Sequence, residues 1–233
     1  MNAATKSRIQ LFGAWCGALY IIFAIIGWGL VAGFLPPHRP GASADVIAGI
    51  FQVHVMGIRI GMVIVMFSAF IVAPFIAVLS QFLARIEASS GVLTFAALLG
   101  GAGTMVLTFY PAIWWLVAAY RPERPQELVY LMNDMAWLQF IGGASIYWPM
   151  PVAMAIAAFC DSNPKPVFPR WSGFTSLFFL LLMLPDQILF FFHSGPFAWN
   201  GLFGLWIPLA GFGGWFFLCA YLLRQAILRE RPG

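Results

Sequence analysis

Charged residues are scarce in this chain: Asp, Glu, Lys and Arg make up only 9% of its 233 residues, while 62% of the residues are hydrophobic. A soluble protein of this length needs far more charge to cover its surface. The composition therefore excludes a soluble globular domain and predicts an integral membrane protein. The mean hydropathy of +0.89 agrees with that class.

Several patterns that carry known chemistry are missing as well. The cysteines Cys16, Cys160 and Cys219 form no CxxC pair, so neither a disulfide nor a thiolate metal site is expected. His38 and His54 lack helical ligand spacing to any other histidine or cysteine, so no metal and no cofactor are predicted. No GxSxG motif occurs, and no basic block with interleaved aromatic residues is present, so nucleic acid is not an expected partner.

Long apolar runs fill most of the chain and predict an all-α, polytopic membrane protein: one bundle over residues 1–233. Its six transmembrane helices are expected at about 11–35, 53–83, 92–119, 128–159, 171–193 and 201–223. The helical pattern from Ser43 to Arg85 is too long for one span, since it would extend roughly 64 Å at 1.5 Å per residue. We therefore predict a short interfacial helix at about 43–52, before the second span.

The distribution of Lys and Arg predicts the orientation. If the N-terminus is inside, the inner side holds eight of the 12 cations, the outer side holds three, and Arg59 lies within a span. This excess places the N- and C-termini in the cytoplasm. The chain contains no N-x-S/T acceptor, which agrees with a multi-pass protein of the bacterial cytoplasmic (inner) membrane.

Three charged residues interrupt the apolar spans: Arg59, Asp134 and Asp186. Counted at 1.5 Å per residue, all three are expected about 9–11 Å below the outer boundary of the membrane. A charge that faces lipid costs about 2.5–3.5 kcal/mol, so we predict that these side chains face the bundle interior, with Arg59 between the two carboxylates. Gly57 and Gly61 flank Arg59 and leave room for another backbone or a ligand.

The predicted ligand-binding set combines these charges with polar residues at the same level: Arg59, Asp134, Asp186, His54, Asn133 and Gln187. Trp137, Tyr147, Trp148 and Tyr110 are expected to line a cavity beside them. A competing interpretation is that the network only fixes how the helices assemble.

The segment from Asp45 to Leu83 has an interfacial stretch, then the motif Gly57-Ile58-Arg59-Ile60-Gly61, then a long apolar span that ends in a basic turn. In this order it resembles a loosely defined group of uncharacterised bacterial six-helix integral membrane proteins. The resemblance covers about a quarter of the chain and implies a fold; it implies no activity.

Three functions agree with this pattern. The leading hypothesis is a membrane-embedded binding or transport-type protein for a lipophilic small molecule, in which Arg59 holds the head group and one Asp carries a proton. The second is a membrane enzyme that uses Asp134 or Asp186 as general acid or base and Arg59 as an electrostatic stabiliser. The third is an accessory subunit whose glycine-rich helices contact membrane protein partners.

Overall fold

A computed structural model of the chain describes residues 2–88 and 90–230. Over these residues the backbone is helical without any strand, and six segments are long and apolar enough to cross a membrane. They are Ala4–Val31, Val55–Glu87, Val92–Tyr120, Gln126–Cys160, Arg170–Phe191 and Leu202–Arg229, called spans 1 to 6 below. A shorter helix, α2 (Ala44–Val53), precedes span 2. The predicted all-α fold with six transmembrane helices and one short additional helix is confirmed.

Spans 2 and 3 are each one continuous α-helix, α3 (Val55–Glu87) and α4 (Val92–Tyr120), although each contains a proline. The other four spans are not α-helical throughout. Span 1 is α1 (Ala3–Ile25) followed by a π-helical turn, Ile26–Val31. Span 4 is α5 (Gln126–Gly142), a 3-10 turn at Gly143–Tyr147 and α6 (Pro149–Cys160). Span 5 is α7 (Arg170–Met183) and the 3-10 segment Leu184–Phe191, and span 6 is the π turn Leu202–Trp206 and α8 (Ile207–Arg229).

The six spans are arranged as a closed ring. Each span packs against the next one in the sequence. The contacting helices are α1 with α3, α3 with α4, α4 with α5 and α6, α6 with α7, and α7 with α8. The ring closes where α8 packs against α1. The connections between spans 2 and 3 and between spans 3 and 4 are short, which keeps these spans neighbours, whereas the connection between spans 1 and 2 contains α2.

Glycines let spans 1 and 2 approach closely. A Cβ added at Gly57 would lie 2.7 Å from the carbonyl oxygen of Val31, and one added at Gly61 would overlap the carbonyl oxygen of Gly27. On the same pair of helices, a Cβ at Gly13 would meet the backbone of Pro74. The space predicted beside Gly57 and Gly61 is therefore filled by another backbone, that of the π turn in span 1.

Two apolar clusters fill the ring. One lies toward the termini and includes Phe75, Phe82 and Trp215. The other lies toward the loops that precede α2 and follow span 5, and it includes Phe34, Trp115 and Trp137 among its members. At the end of the bundle that carries the termini, Arg85 pairs with Glu230 at 2.9 Å in an exposed salt bridge.

Candidate functional site

A cavity of about 70 Å³ lies where the two apolar clusters meet. Side chains of spans 1, 3, 4, 5 and 6 line it, and its walls are mostly aliphatic and aromatic. A water molecule occupies roughly 10–15 Å³ on a comparable measure, so the cavity has room for several waters or for part of a larger molecule.

The irregular turns of four spans converge on this cavity. Trp28 and Leu205 lie in the π turns of spans 1 and 6, and Ala144 and Asp186 lie in the 3-10 segments of spans 4 and 5, and all four line the cavity. Non-α backbone inside a membrane protein is tolerated where it is buried in protein or lines a cavity. π turns also occur frequently at functional sites. The backbone irregularities therefore identify this cavity as the candidate site independently of any charged residue.

Prolines explain two of these irregular segments. Pro185 has no N–H to donate to the carbonyl of Leu181, and the N–H of Leu184 bonds that carbonyl instead, which tightens the chain into a 3-10 helix. Pro208 likewise has no N–H for the carbonyl of Gly204, at the end of the π turn of span 6. The turn at Asp186 is further fixed by Gln187, whose Nε2 donates a hydrogen bond to the carbonyl oxygen of Gly142 at 3.3 Å.

Asp186 is the only acidic or basic residue that lines the cavity, among the residues that the structure describes. Asp186 is only 2% exposed, and its Oδ1 has no hydrogen-bond partner within residues 2–88 and 90–230. Insertion scales assign about 2.5–3.5 kcal/mol to a carboxylate at the centre of a membrane helix. A group with that cost is usually paired or functional, and the protein supplies no partner for this oxygen.

Three other polar side chains line the cavity. Trp28 is 1% exposed, and its indole Nε1–H, which can only donate, has no acceptor. The hydroxyls of Tyr20 and Thr108 lie 2.7 Å apart and satisfy each other. The residues that line the cavity thus include many apolar side chains, one carboxyl group with an unpartnered oxygen and one indole with an unpartnered N–H among the described residues.

Arg59 does not lie between the two carboxylates, and that prediction is wrong. Its Nε and Nη2 donate to the carbonyl oxygen of Ala119 at 3.1 and 2.9 Å, and Nη2 also donates to that of Tyr120 at 3.0 Å. No carboxylate of the described residues lies within 4.0 Å of its nitrogens. These carbonyls lie in the last turn of α4, where no backbone N–H of the helix can bond them. The guanidinium supplies the missing hydrogen bonds, and its positive charge also interacts favourably with the negative end of the helix dipole.

Asp134 also lies outside the cavity lining. It is half-buried on α5, and its Oδ1 is buried without a hydrogen-bond partner. His54, at the junction between α2 and α3, is exposed. The predicted site residues therefore do not form one cluster: Asp186 lines the cavity, Gln187 supports the turn that carries it, and the others lie elsewhere.

Asn133 makes a separate polar contact, which joins α5 to the loop between span 1 and α2. Its Nδ2 lies 3.0 Å from Nε2 of His38, a residue of the loop before α2. The His38 ring packs edge-on against Trp137 and Trp199, and the indole of Trp199 donates to the backbone carbonyl of His38 at 3.0 Å. Burial among these rings lowers the pKa of His38 to about 4, since the charged imidazolium would lose its hydration.

The aromatic residues predicted to line a cavity do not line this one. Trp137 and Tyr147 are fully packed in the core, Tyr110 is exposed, and Trp148 also lies outside the lining. The rings at the cavity belong to Tyr20, Trp28, Phe140 and Phe212. Among them, only Tyr20 could have been singled out from the sequence, because it is a polar aromatic residue in the middle of an apolar span.

No protein-family model matches this chain, and neither a curated protein nor a solved structure is significantly similar to it. The resemblance stated for Asp45 to Leu83 therefore stays a prediction. The candidate site is argued from its geometry alone.

Proposed function

We propose that this protein binds a lipophilic small molecule inside the membrane, in the cavity beside Asp186, as a binding or transport-type protein. One observation carries the proposal: a buried carboxyl with an unpartnered oxygen lies on the wall of an otherwise apolar cavity. A buried polar group without a partner costs about 1–3 kcal/mol. A molecule with an apolar body and one polar end supplies the missing contact and fills the remaining space.

The exposure of the lining residues supports access from the lipid. Five residues of the lining are half-buried, and four of them, Ala24, Ile25, Leu209 and Phe212, belong to α1 and α8; the fifth, Phe140, lies on α5. The cavity is therefore least covered at the seam between spans 1 and 6, where the bilayer contacts the protein. A ligand that partitions into lipid reaches the cavity through this seam without crossing the loops.

The geometry supports binding more than the two alternatives. The enzyme hypothesis needs Arg59 beside the Asp that acts as general acid or base, but Arg59 does not line the cavity that Asp186 lines, and neither does Asp134. An accessory subunit needs only polar groups that satisfy each other, but Asp186 and Trp28 each keep an unpartnered atom. We place the protein in the bacterial inner membrane with both termini in the cytoplasm, on the excess of cations predicted at that side.

The proposal is tested with three probes that share a phenyl ring and differ in the polar end: 2-phenylethylamine, 2-phenylethanol and 3-phenylpropanoate. The purified full chain is titrated in mild detergent, and the shift of its unfolding midpoint is measured. We expect a saturable shift with at least one probe. In Ala144→Leu, added carbons occupy the cavity, so the shift should be lost.

Two further variants control this experiment. Ala102→Leu adds the same carbons at an exposed position of α4, and its shift should equal that of the wild type. Gly213→Ala adds one carbon that would lie 3.4 Å from Ile21 in ordinary contact, so it narrows the cavity even if Ala144→Leu does not fold. If no probe gives a saturable shift, or if neither cavity variant weakens it, the proposed function is wrong.

A further inference from the structure

We infer that the ligand of this cavity is a lipophilic amine, bound as its ammonium ion beside the carboxylate of Asp186. This inference rests on the proposed function and adds the charge of the ligand. It starts from the charge balance of the cavity: the lining contains one acidic residue and, among the described residues, no Lys, Arg or His. The protein therefore provides an acidic group without a basic partner.

The charge balance of the cavity distinguishes ligands whose polar end is an anion, a neutral alcohol or a cation. An anionic ligand would bring its negative charge beside Asp186 with no cation of the lining to hold it, which is strongly unfavourable in a desolvated site. A neutral alcohol can hydrogen-bond to the carboxyl group but carries no charge that would stabilise its ionised form. An ammonium ion supplies both the donors and the opposite charge, and charge-assisted hydrogen bonds are the strongest of these contacts.

The aromatic lining favours the same charge. Tyr20, Trp28, Phe140 and Phe212 surround the cavity, and aromatic rings attract cations through their quadrupoles, most strongly when the cation is desolvated. Trp28 and Phe140 lie close together, with their ring centroids 5.4 Å apart. The cavity thus has two features that recognise a cation, a carboxyl group and a group of aromatic rings.

The probe series distinguishes the charge classes at neutral pH, where 2-phenylethylamine is a cation and 3-phenylpropanoate is an anion. We expect the amine to bind the wild type about 10- to 100-fold more tightly than 2-phenylethanol, as for one hydrogen bond to a charged group. The anion should bind more weakly than the alcohol. Asp186→Asn keeps the shape of the side chain and removes its charge, so it should abolish the preference for the amine while 2-phenylethanol still binds.

Asp134→Asn is the matched control, because it removes a carboxylate of the same type that does not line the cavity. It should leave the preference for the amine unchanged. If the amine and the alcohol bind the wild type equally, or if Asp186→Asn keeps the preference, the inference is wrong although the proposed function stands. Should Asp186→Asn fail to fold, the comparison of the three probes on the wild type still decides the question. Loss of saturable binding for all three probes contradicts the proposed function itself.

Discussion

The hydroxyl oxygens of Tyr20 and Thr108 lie 2.7 Å apart and join spans 1 and 3 at the wall of the cavity. Thr108 uses its single hydrogen to bond the carbonyl oxygen of Thr104 at 2.8 Å. Tyr20 is therefore the donor of the pair, since each hydroxyl has only one hydrogen to give. This assignment makes the two substitutions at the pair unequal.

We predict that Thr108→Val destabilises the protein more than Tyr20→Phe. In Thr108→Val the hydroxyl of Tyr20 stays buried without an acceptor, which costs about 1–3 kcal/mol. In Tyr20→Phe the hydroxyl of Thr108 keeps its bond to Thr104, so the expected loss is about 1 kcal/mol. Both losses are measured as the change in the free energy of unfolding in detergent. The double variant should lose less stability than the sum of the losses of the two single variants. Equal costs would contradict the assigned direction of the hydrogen bond.

Arg59 is expected to stabilise the end of α4 and to have no part in ligand binding. Arg59→Met removes all donors to the carbonyls of Ala119 and Tyr120, so stability should fall by about 2 kcal/mol. Arg59→Lys keeps a positive charge near the end of α4 and should therefore lose less stability than Arg59→Met. The affinity for 2-phenylethylamine, measured in the same preparations, should not change. If folded Arg59→Met bound 2-phenylethylamine much more weakly than the wild type, Arg59 would take part in ligand binding and the prediction would be wrong.

His38 should make stability depend on pH below neutrality. Its pKa is lowered to about 4 in the folded protein, against about 6.5 when the chain is unfolded. Between these values the unfolded chain binds more protons, so stability is full above about pH 6.5 and is lost as the pH falls toward 4. The loss attributable to this group is on the order of 3 kcal/mol.

His38→Gln isolates this contribution, because the carboxylates that titrate in the same range are unchanged. Unfolding midpoints are measured for both proteins between pH 7 and pH 4. The wild type should lose more stability than the variant over this window. Parallel curves for the two proteins would show that His38 does not titrate as its burial implies.

Gly57 and Gly49 provide a matched pair of glycine substitutions. In Gly57→Ala the new methyl group would lie 2.7 Å from the carbonyl oxygen of Val31, so spans 1 and 2 must separate and stability should fall by about 1–3 kcal/mol. At Gly49 of α2 a Cβ meets nothing within 4 Å. Gly49→Ala should raise helix stability by about 0.5–1 kcal/mol. Similar unfolding midpoints for the two variants would contradict the close approach at Gly57.

The spans could be predicted from the sequence because the length and hydropathy of a helical run are properties of the run itself. The short helix before span 2 was also predictable, since the pattern from Ser43 to Arg85 exceeds the thickness of a bilayer. The π turns of spans 1 and 6 were not predicted. At the π turn of span 1, Gly27 packs against the backbone of Gly61 on span 2, a contact that no local pattern contains. Pro208, beside the π turn of span 6, was a local signal that the prediction did not use.

The candidate site was predicted in part. Asp186 stood out because a single carboxylate interrupts a long apolar run, and such a residue needs a reason to be there. Arg59 was misplaced because depth in the membrane says nothing about the direction in which a side chain points. A search for charged partners also overlooks the backbone carbonyls at a helix end, which bind a guanidinium well. Trp28 was missed because an aromatic residue in an apolar span has no distinctive pattern.

The contact between α1 and α8 has a consequence for how the protein is made. Span 6 is synthesised after the other five, so the ring stays incomplete until it has inserted. Before that, the cavity lacks the wall formed by Leu205, Pro208 and Phe212, and the carboxyl of Asp186 is open toward lipid on that side. Insertion of span 6 therefore closes the cavity and buries the carboxyl of Asp186 in a single step, so that biogenesis of these six spans and formation of the candidate site coincide.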